Sequence, residues 1–123
     1  MRRFGNDDGG FEIEREAVSG AVHVRLWGFW STEVARAFGD AIVEETKSPR
    51  NPKTVALDAS NLKPQKDVGQ TAIGGMLDSL ARAGVTRVSI VTASPLTKMQ
   101  LVRLARERAP KDIVEFVQAP NVA

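Results

Sequence analysis

From Val22 onward, strand patterns alternate with helix patterns along the chain, and this alternation is what most constrains the fold. Val22–Trp27 alternates apolar and polar residues, and shorter apolar runs bounded by polar residues follow at 54–58, 87–92 and 113–117. The segments between them place apolar residues three and four apart, which predicts helices over about 31–47, 67–83 and 95–109. Strands joined through helices pair mostly in parallel with right-handed crossovers, so the sequence predicts an α/β domain.

A strand pattern also precedes Val22. Phe11–Arg15 alternates apolar and charged residues, and residues 18–21 supply a turn, so we expect an antiparallel hairpin. The element order is then ββαβαβαβ, with a mixed, mostly parallel sheet and an antiparallel N-terminal strand. Residues 1–10 carry three glycines and few apolar side chains, which favours a flexible tail ahead of a single domain over 11–123. The expected core consists of Val24, Phe38, Val55, Leu57, Met76, Leu77, Leu80, Val88 and Ile90.

Residues near the predicted helix ends have the types that cap helices. Ser31 and Ser94 are suitable N-caps, and Pro95 follows Ser94 at the first helical position. Asp67 with Gln70 three residues later has the spacing of a capping box, and Gly84 is placed to end that helix. Residues 59–66 are expected to form a loop.

Several chemistries lack the residues that they need. With no cysteine, the chain has no disulfide, thiolate metal site or cysteine nucleophile. His23, the single histidine, lies on the polar side of a strand pattern and is expected to be structural or solvated. No nucleophile stands in readable register with a base, and no acidic cluster has the spacing of a metal loop. We therefore expect no enzyme activity, no cofactor and no metal.

Charge and hydropathy bound the partners and the compartment. The net charge is only +2, and acids and bases alternate along most of the chain. The basic stretch over 98–111 is interrupted by acids and fits a solvated helix face, so no nucleic-acid partner is expected. No apolar run has the length of a membrane span, and residues 1–10 lack the apolar stretch of a signal peptide, which predicts a cytoplasmic protein.

Over residues 11–117 the chain resembles the STAS superfamily, and within it the bacterial single-domain branch similar to anti-sigma-factor antagonists. The resemblance rests on the element order and on four stretches: 24–30 (VRLWGFW), 55–60 (VALDAS), the glycine-containing helix that follows, and 94–100 (SPLTKMQ). It implies a non-catalytic regulatory module that binds a protein partner. Members usually end with a helix after the last strand, whereas six residues follow Val117 here.

The resemblance also locates a switch that this chain lacks. Signalling members carry Asp-Ser-Ser-Gly at the start of the helix after the central strand, and a kinase phosphorylates the second serine. Residues 66–69 (KDVG) stand at that motif, so the glycine is kept and Val68 replaces the phosphoacceptor. Asp67 either caps the helix or imitates a permanently phosphorylated state, because the helix dipole favours an anion there.

Candidate binding residues follow the carboxyl ends of the predicted strands, where open α/β sheets bind ligands. They form an aromatic cluster around Gly28, two polar residues after the central strand and three residues at the start of the last helix: Trp27, Phe29 and Trp30; Asp58 and Ser60; Ser94, Thr97 and Lys98. They either converge on one mouth or serve as caps and turns. Asp67 is a further candidate. The glycine pair at 74–75 indicates close packing of the second helix on the sheet, or the thin wall of a pocket.

Two functions remain open at this point. The first is a STAS-like interaction module without phosphorylation control. The second is a protein that binds or senses a small apolar ligand, such as a lipid, through the aromatic cluster and the paired glycines. A homodimer is also expected, because Phe11 and Ile13 would lie near an unpaired sheet edge and the final helix is missing.

Overall fold

The structure, a computed structural model, describes residues 2–47, 52–110 and 112–117. In that part of the chain one six-stranded sheet, with its strands in sequence order, carries three helices. The strands are β1 (Arg2–Asn6), β2 (Gly9–Arg15), β3 (Val22–Gly28), β4 (Thr54–Leu62), β5 (Arg87–Thr92) and β6 (Val114–Val117). The helices are α1 (Thr32–Glu45), α2 (Asp67–Arg82) and α3 (Pro95–Arg108). β1 to β3 pair antiparallel and β3 to β6 pair parallel, which confirms the predicted α/β class.

All three helices lie on one face of the sheet. Each parallel strand adds beside the previous one in the same direction, so right-handed crossovers place every helix on the same side. α1 packs against α2, and α2 against α3. The sheet therefore has an inner face under the helices and an outer face that they leave open.

The inner face holds the core that the sequence predicts. All nine expected core residues are at most 2% exposed, which confirms that list. Beside them, three aromatic rings pack edge to face, with the Phe38 ring centroid 5.1 Å from Phe11 and 4.8 Å from Trp30. This aromatic contact joins the N-terminal hairpin to α1.

Two helix starts and one helix end agree with their sequence signals. The Ser31 hydroxyl accepts a hydrogen bond from the Val34 N–H at 3.2 Å, and Ser94 accepts one from Thr97 N–H at 3.3 Å. Gly84 follows α2 with φ +88°, a left-handed conformation that glycine adopts without strain.

The start of the chain differs from the prediction. Residues 2–6 form β1 rather than a flexible tail, and they pair with β2 along their whole length. The ring of Phe4 stacks 6.1 Å from that of Phe11, and Asn6 accepts a hydrogen bond from the Asp8 N–H in the turn. Low apolar content in residues 1–10 suggested disorder, but pairing with β2 satisfies the backbone without burying many apolar side chains.

The central strand is also longer than predicted. Residues 59–62, expected in a loop, continue β4, with Trp27 of β3 opposite Asn61. The register shifts between Arg25 and Trp27, so β4 carries an extra residue there, and the Ser60 N–H donates to the Asp58 carboxylate at 3.0 Å. A bulge of this kind bends a strand without ending its pairing, which a pattern search reads as a strand end.

The capping box predicted at α2 does not form. Lys66 is the N-cap and provides no side-chain hydrogen bond, while Asp67 lies in the first turn. The Gln70 amide donates instead to the backbone oxygen of Gln65 at 2.8 Å. The N-cap therefore lies one position earlier than predicted, at Lys66 rather than Asp67, next to the loop that Gln65 organises.

Candidate functional site

The three aromatic residues around Gly28 do not form one cluster. Trp30 is in the core at 1% exposure, and Trp27 lies half-buried on the outer face. Phe29 is 43% exposed at the end of β3. Trp27 lies within β3, whereas Phe29 and Trp30 follow its last residue, and the three rings occupy the outer face, the surface and the core, so they do not together line a ligand wall.

Trp27 belongs to a charged group on the outer face. Its indole N–H donates to the Asn6 backbone oxygen at 2.7 Å, which holds the end of β1. The guanidinium carbons of Arg3 and Arg25 lie 5.1 and 5.5 Å from its ring centroid, within cation–π distance. Glu12 ion-pairs with both arginines, at 3.7 and 2.8 Å. This arrangement ties β1 and β2 to β3 and gives Trp27 a structural role.

Asp58 and Ser60 lie on the same outer face, in the middle of the sheet. They border a shallow open concavity of about 430 Å³, whose rim also includes Glu14, His23 and Arg25. The His23 ring nitrogen contacts the Glu16 carboxylate at 2.8 Å, as expected of a solvated strand-face histidine.

The candidates on α3 occupy a different place. Ser94 and Lys98 border a second concavity beside Phe116 of β6, whereas the Thr97 hydroxyl is buried and donates to the Leu62 backbone oxygen at 2.9 Å. Thr97 thus ties α3 to the end of β4. The predicted strand-end residues are spread over the core, the outer face and the α3 side and do not share one mouth.

Of the glycine pair in α2, Gly74 faces α3 rather than the sheet, and Gly75 faces open space. A Cβ on Gly74 would lie 3.3 Å from the Arg108 Nε and 3.4 Å from Leu104 Cδ2, whereas one on Gly75 would meet nothing within 4 Å. Gly74 thus allows two helices to approach, and the expected packing on the sheet is corrected to packing on α3.

The start of α2, where the resemblance placed the missing phosphoacceptor, is organised by Gln65. This side chain is 5% exposed, and its amide oxygen accepts from the Trp30 N–H at 2.9 Å. Its amide nitrogen donates to the Gly28 oxygen at 2.9 Å and to the Lys63 oxygen at 2.7 Å. One buried amide therefore satisfies three backbone groups and joins the end of β3 to the loop before α2.

The backbone of Gln65 makes a second set of contacts, with α3. Its N–H donates to the Gln100 side-chain oxygen at 2.7 Å, and its oxygen accepts from the Gln100 amide at 2.9 Å. Gly69 packs so closely that a Cβ there would overlap the Gln65 side chain, with Gln65 Cβ at 2.9 Å. Gly69 is the single glycine of the motif, so its retention was the sequence signal that could have led to Gln65, which our sequence reasoning missed.

Neither a metal-binding group of side chains nor a membrane-crossing helix is found in the described ranges. Among residues 2–47, 52–110 and 112–117, no group of three or more histidine, cysteine or carboxylate side chains is placed to hold a metal ion. No helix in those ranges combines the length and apolar character of a membrane-crossing segment.

Comparison with known structures identifies the architecture. The unphosphorylated anti-sigma factor antagonist SpoIIAA superposes with a TM-score of 0.64 at 17% identity, covering 89% of this chain and 88% of that one. Phosphorylated SpoIIAA from Bacillus gives 0.64 at 16% identity, over 90% and 92%. An antagonist from Mycobacterium paratuberculosis gives 0.59 at 18% identity, over 91% and 87%. The chain has the STAS-like fold of the anti-sigma-factor antagonists.

The likeness lies in the fold rather than in the sequence. No protein-family model matches this sequence, and no curated protein matches it. The STAS-like arrangement of strands and helices confirms the resemblance inferred from residues 11–117, and it sets α2 after the central strand, as the motif comparison assumed.

Proposed function

We propose that this chain is a STAS-like regulatory module that binds a protein partner and is not switched by phosphorylation at the start of α2. The observation that carries the proposal is the presence of a valine, Val68, where signalling members of the resembled family have a serine. Val68 lies in the first turn of α2, 36% exposed, at the position that the motif comparison assigns to the phosphoacceptor. A valine side chain has no hydroxyl to accept a phosphoryl group.

The surroundings of Val68 support a retained docking function. Gly69 and the buried Gln65 hold the helix start in a fixed geometry although the serine is absent. A helix start held in this way presents Val68 and Asp67 to a partner in a fixed position, which lowers the ordering cost of binding. Asp67 places a carboxylate beside Val68 that, unlike a phosphate group, is not added or removed by an enzyme. It supports a partner-binding state that does not change, whether that state binds the partner or not.

Cross-linking in the source cells, followed by mass spectrometry of the tagged full-length chain, tests this function. We expect a defined protein partner cross-linked through Lys63 or Lys66, and no phosphate on residues 66–69. Val68→Ser is the matched variant, since it restores a hydroxyl at the same position. Phosphate at Ser60 or Thr71 of the wild-type chain that changes partner recovery would contradict the loss of control, and recovery of no partner would contradict the module itself.

The alternative function, an apolar-ligand carrier, was based on a cluster of aromatic rings around Gly28, and the structure does not contain that cluster. Trp30 packs into the core and Trp27 packs against arginines, so the rings do not surround a common space. Native mass spectrometry after gentle purification checks this alternative. We expect the mass of the bare chain, and a co-purifying lipid would revive the carrier hypothesis.

Homodimerisation stays a prediction with one of its two supports removed. β1 covers the edge of β2, and Phe11 and Ile13 are at most 2% exposed, so the proposed free edge does not exist there. The other support concerns residues after Val117, which lie outside the described residues. Half-buried Val114 and Phe116 remain on β6 as apolar surface for a second copy. Light scattering over a range of concentrations distinguishes a dimer from a constant mass of 13.3 kDa.

A further inference from the structure

Three segments at one end of the sheet, namely the end of β3 and the N-terminal parts of α2 and α3, carry exposed apolar side chains. Of the seven large hydrophobic residues that are exposed among the described residues, four lie on these segments: Phe29, Val68, Leu96 and Met99, with exposures of 36–63%. We call these four residues with Lys63 and Lys66 the corner surface. Scattered exposed hydrophobics are ordinary, whereas a group of them usually marks an interaction site.

Gln65 holds the three segments of the corner surface together. Its side chain bonds to both neighbours of Phe29, namely the Gly28 oxygen and the Trp30 N–H. Its backbone bonds reciprocally to Gln100, which lies one helical turn after Leu96 on α3. The apolar side chains therefore stand on a rigid base, so a partner would meet little of the ordering cost that weakens binding to mobile surfaces.

The charges on this surface favour carboxylates. Lys66 Nζ lies 5.9 Å from the centroid of the Phe29 ring, and neither Lys66 nor Lys63 makes an ion pair in the described residues. On α2 the opposing charge is Asp67, and it lies at the positive end of the helix dipole, which offsets it. On the other side of Phe29, Asp8 and Glu33 border a concavity together with Arg3. Arg103, on the α3 side, is engaged by Gln70 and Glu107.

We infer that the corner surface docks a partner segment that combines apolar side chains with aspartate or glutamate. Apolar side chains of the partner contact Phe29, Leu96 and Met99, and its carboxylates pair with Lys66 and Lys63. The inference rests on the proposed function, and it goes further by naming the chemistry of the partner.

Selection of a random peptide library displayed on phage, against the intact chain, tests this chemistry without knowledge of the natural partner. We expect the enriched peptides to join leucine, phenylalanine or methionine with acidic residues, and their binding to weaken as ionic strength rises. Enrichment of basic or purely polar peptides, or of none, would overturn the inference.

Variants then place the binding site. Leu96→Asp and Lys66→Glu should each weaken the selected peptides by about tenfold or more, as expected for contact residues at the centre of an interface. Val43→Asp is the matched control, because Val43 is equally exposed on α1 and lies outside the corner surface. Circular dichroism of each variant reports folding. Unchanged affinity in well-folded Leu96→Asp and Lys66→Glu would contradict the site.

The natural partner separates this inference from the proposed function. A partner recovered by cross-linking whose binding survives both substitutions would leave the regulatory module intact and refute the corner surface. Recovery of no partner at all would instead refute the proposed function.

Discussion

The two faces of the sheet are built from the same strands, yet different interactions dominate on each. Inner-face side chains such as Leu57 and Ile90 are at most 2% exposed beneath the helices. On the outer face, cross-strand ion pairs such as Glu12 with Arg25 lie at the surface of an open sheet. Burial of apolar area contributes most of the stability of a small domain, whereas exposed ion pairs contribute little.

Parallel strands usually carry helices on both faces, so an open outer face has a consequence for the sequence. β3 alternates buried and exposed residues along its length, with His23 and Arg25 outward between Val22, Val24 and Leu26. Stability should therefore respond strongly to changes under the helices and weakly to changes on the open face. The corner at Gln65, where buried polar bonds replace apolar packing, should fall between them.

Leu77→Ala gives the largest effect. Leu77 is fully buried between α2 and the sheet, so its truncation removes apolar contacts and leaves a cavity. We expect a loss of about 2–5 kcal/mol in the free energy of unfolding, measured by urea denaturation. A loss below about 1 kcal/mol would show that the inner face is not the main source of stability.

Gly69→Ala tests the corner. Alanine favours a helix over glycine, but here its Cβ would overlap the Gln65 side chain, so we expect a destabilisation of about 1–3 kcal/mol. Gly75→Ala, in the same helix and with nothing within 4 Å of the new Cβ, should stabilise by about 0.5–1 kcal/mol. Equal effects of the two substitutions in thermal or urea unfolding would mean that Gln65 does not restrain the start of α2.

Glu12→Gln should give the smallest effect. It removes the carboxylate that pairs with Arg3 and Arg25 while keeping the shape of the side chain. We expect a loss below about 1 kcal/mol that fades as salt is added, because at least one partner of each pair is substantially exposed. A loss above about 2 kcal/mol that persists in high salt would erase the contrast between the two faces.

Local patterns in the sequence determined the order of the elements from β2 onward and the residues of the inner face. The period-two alternation of Val22–Trp27 and the three-and-four spacing around Phe38 and Leu77 report which side of each element is apolar. Caps such as Ser31 act within one turn of their own helix, so their role could be read from neighbouring residues. These signals sufficed for the α/β class and for the STAS resemblance.

Tertiary structure decided what depends on partners distant along the chain. β1 exists because β2 offers it a paired edge, and β4 continues through Leu62 because β3 lies beside it across a bulge. Gln65 is a polar residue in a loop by sequence, but it bonds to residues 35 and 37 positions away and becomes the buried base of the corner surface. Trp27 and Trp30 lie in different surroundings, because the ring of Trp27 meets Arg3 of the distant β1 and its strand neighbour Arg25, whereas the ring of Trp30 meets the core. Sequence periodicity predicts which face of its strand or helix a side chain lies on. The residues that it contacts there come from distant parts of the chain, so only the tertiary structure determines them.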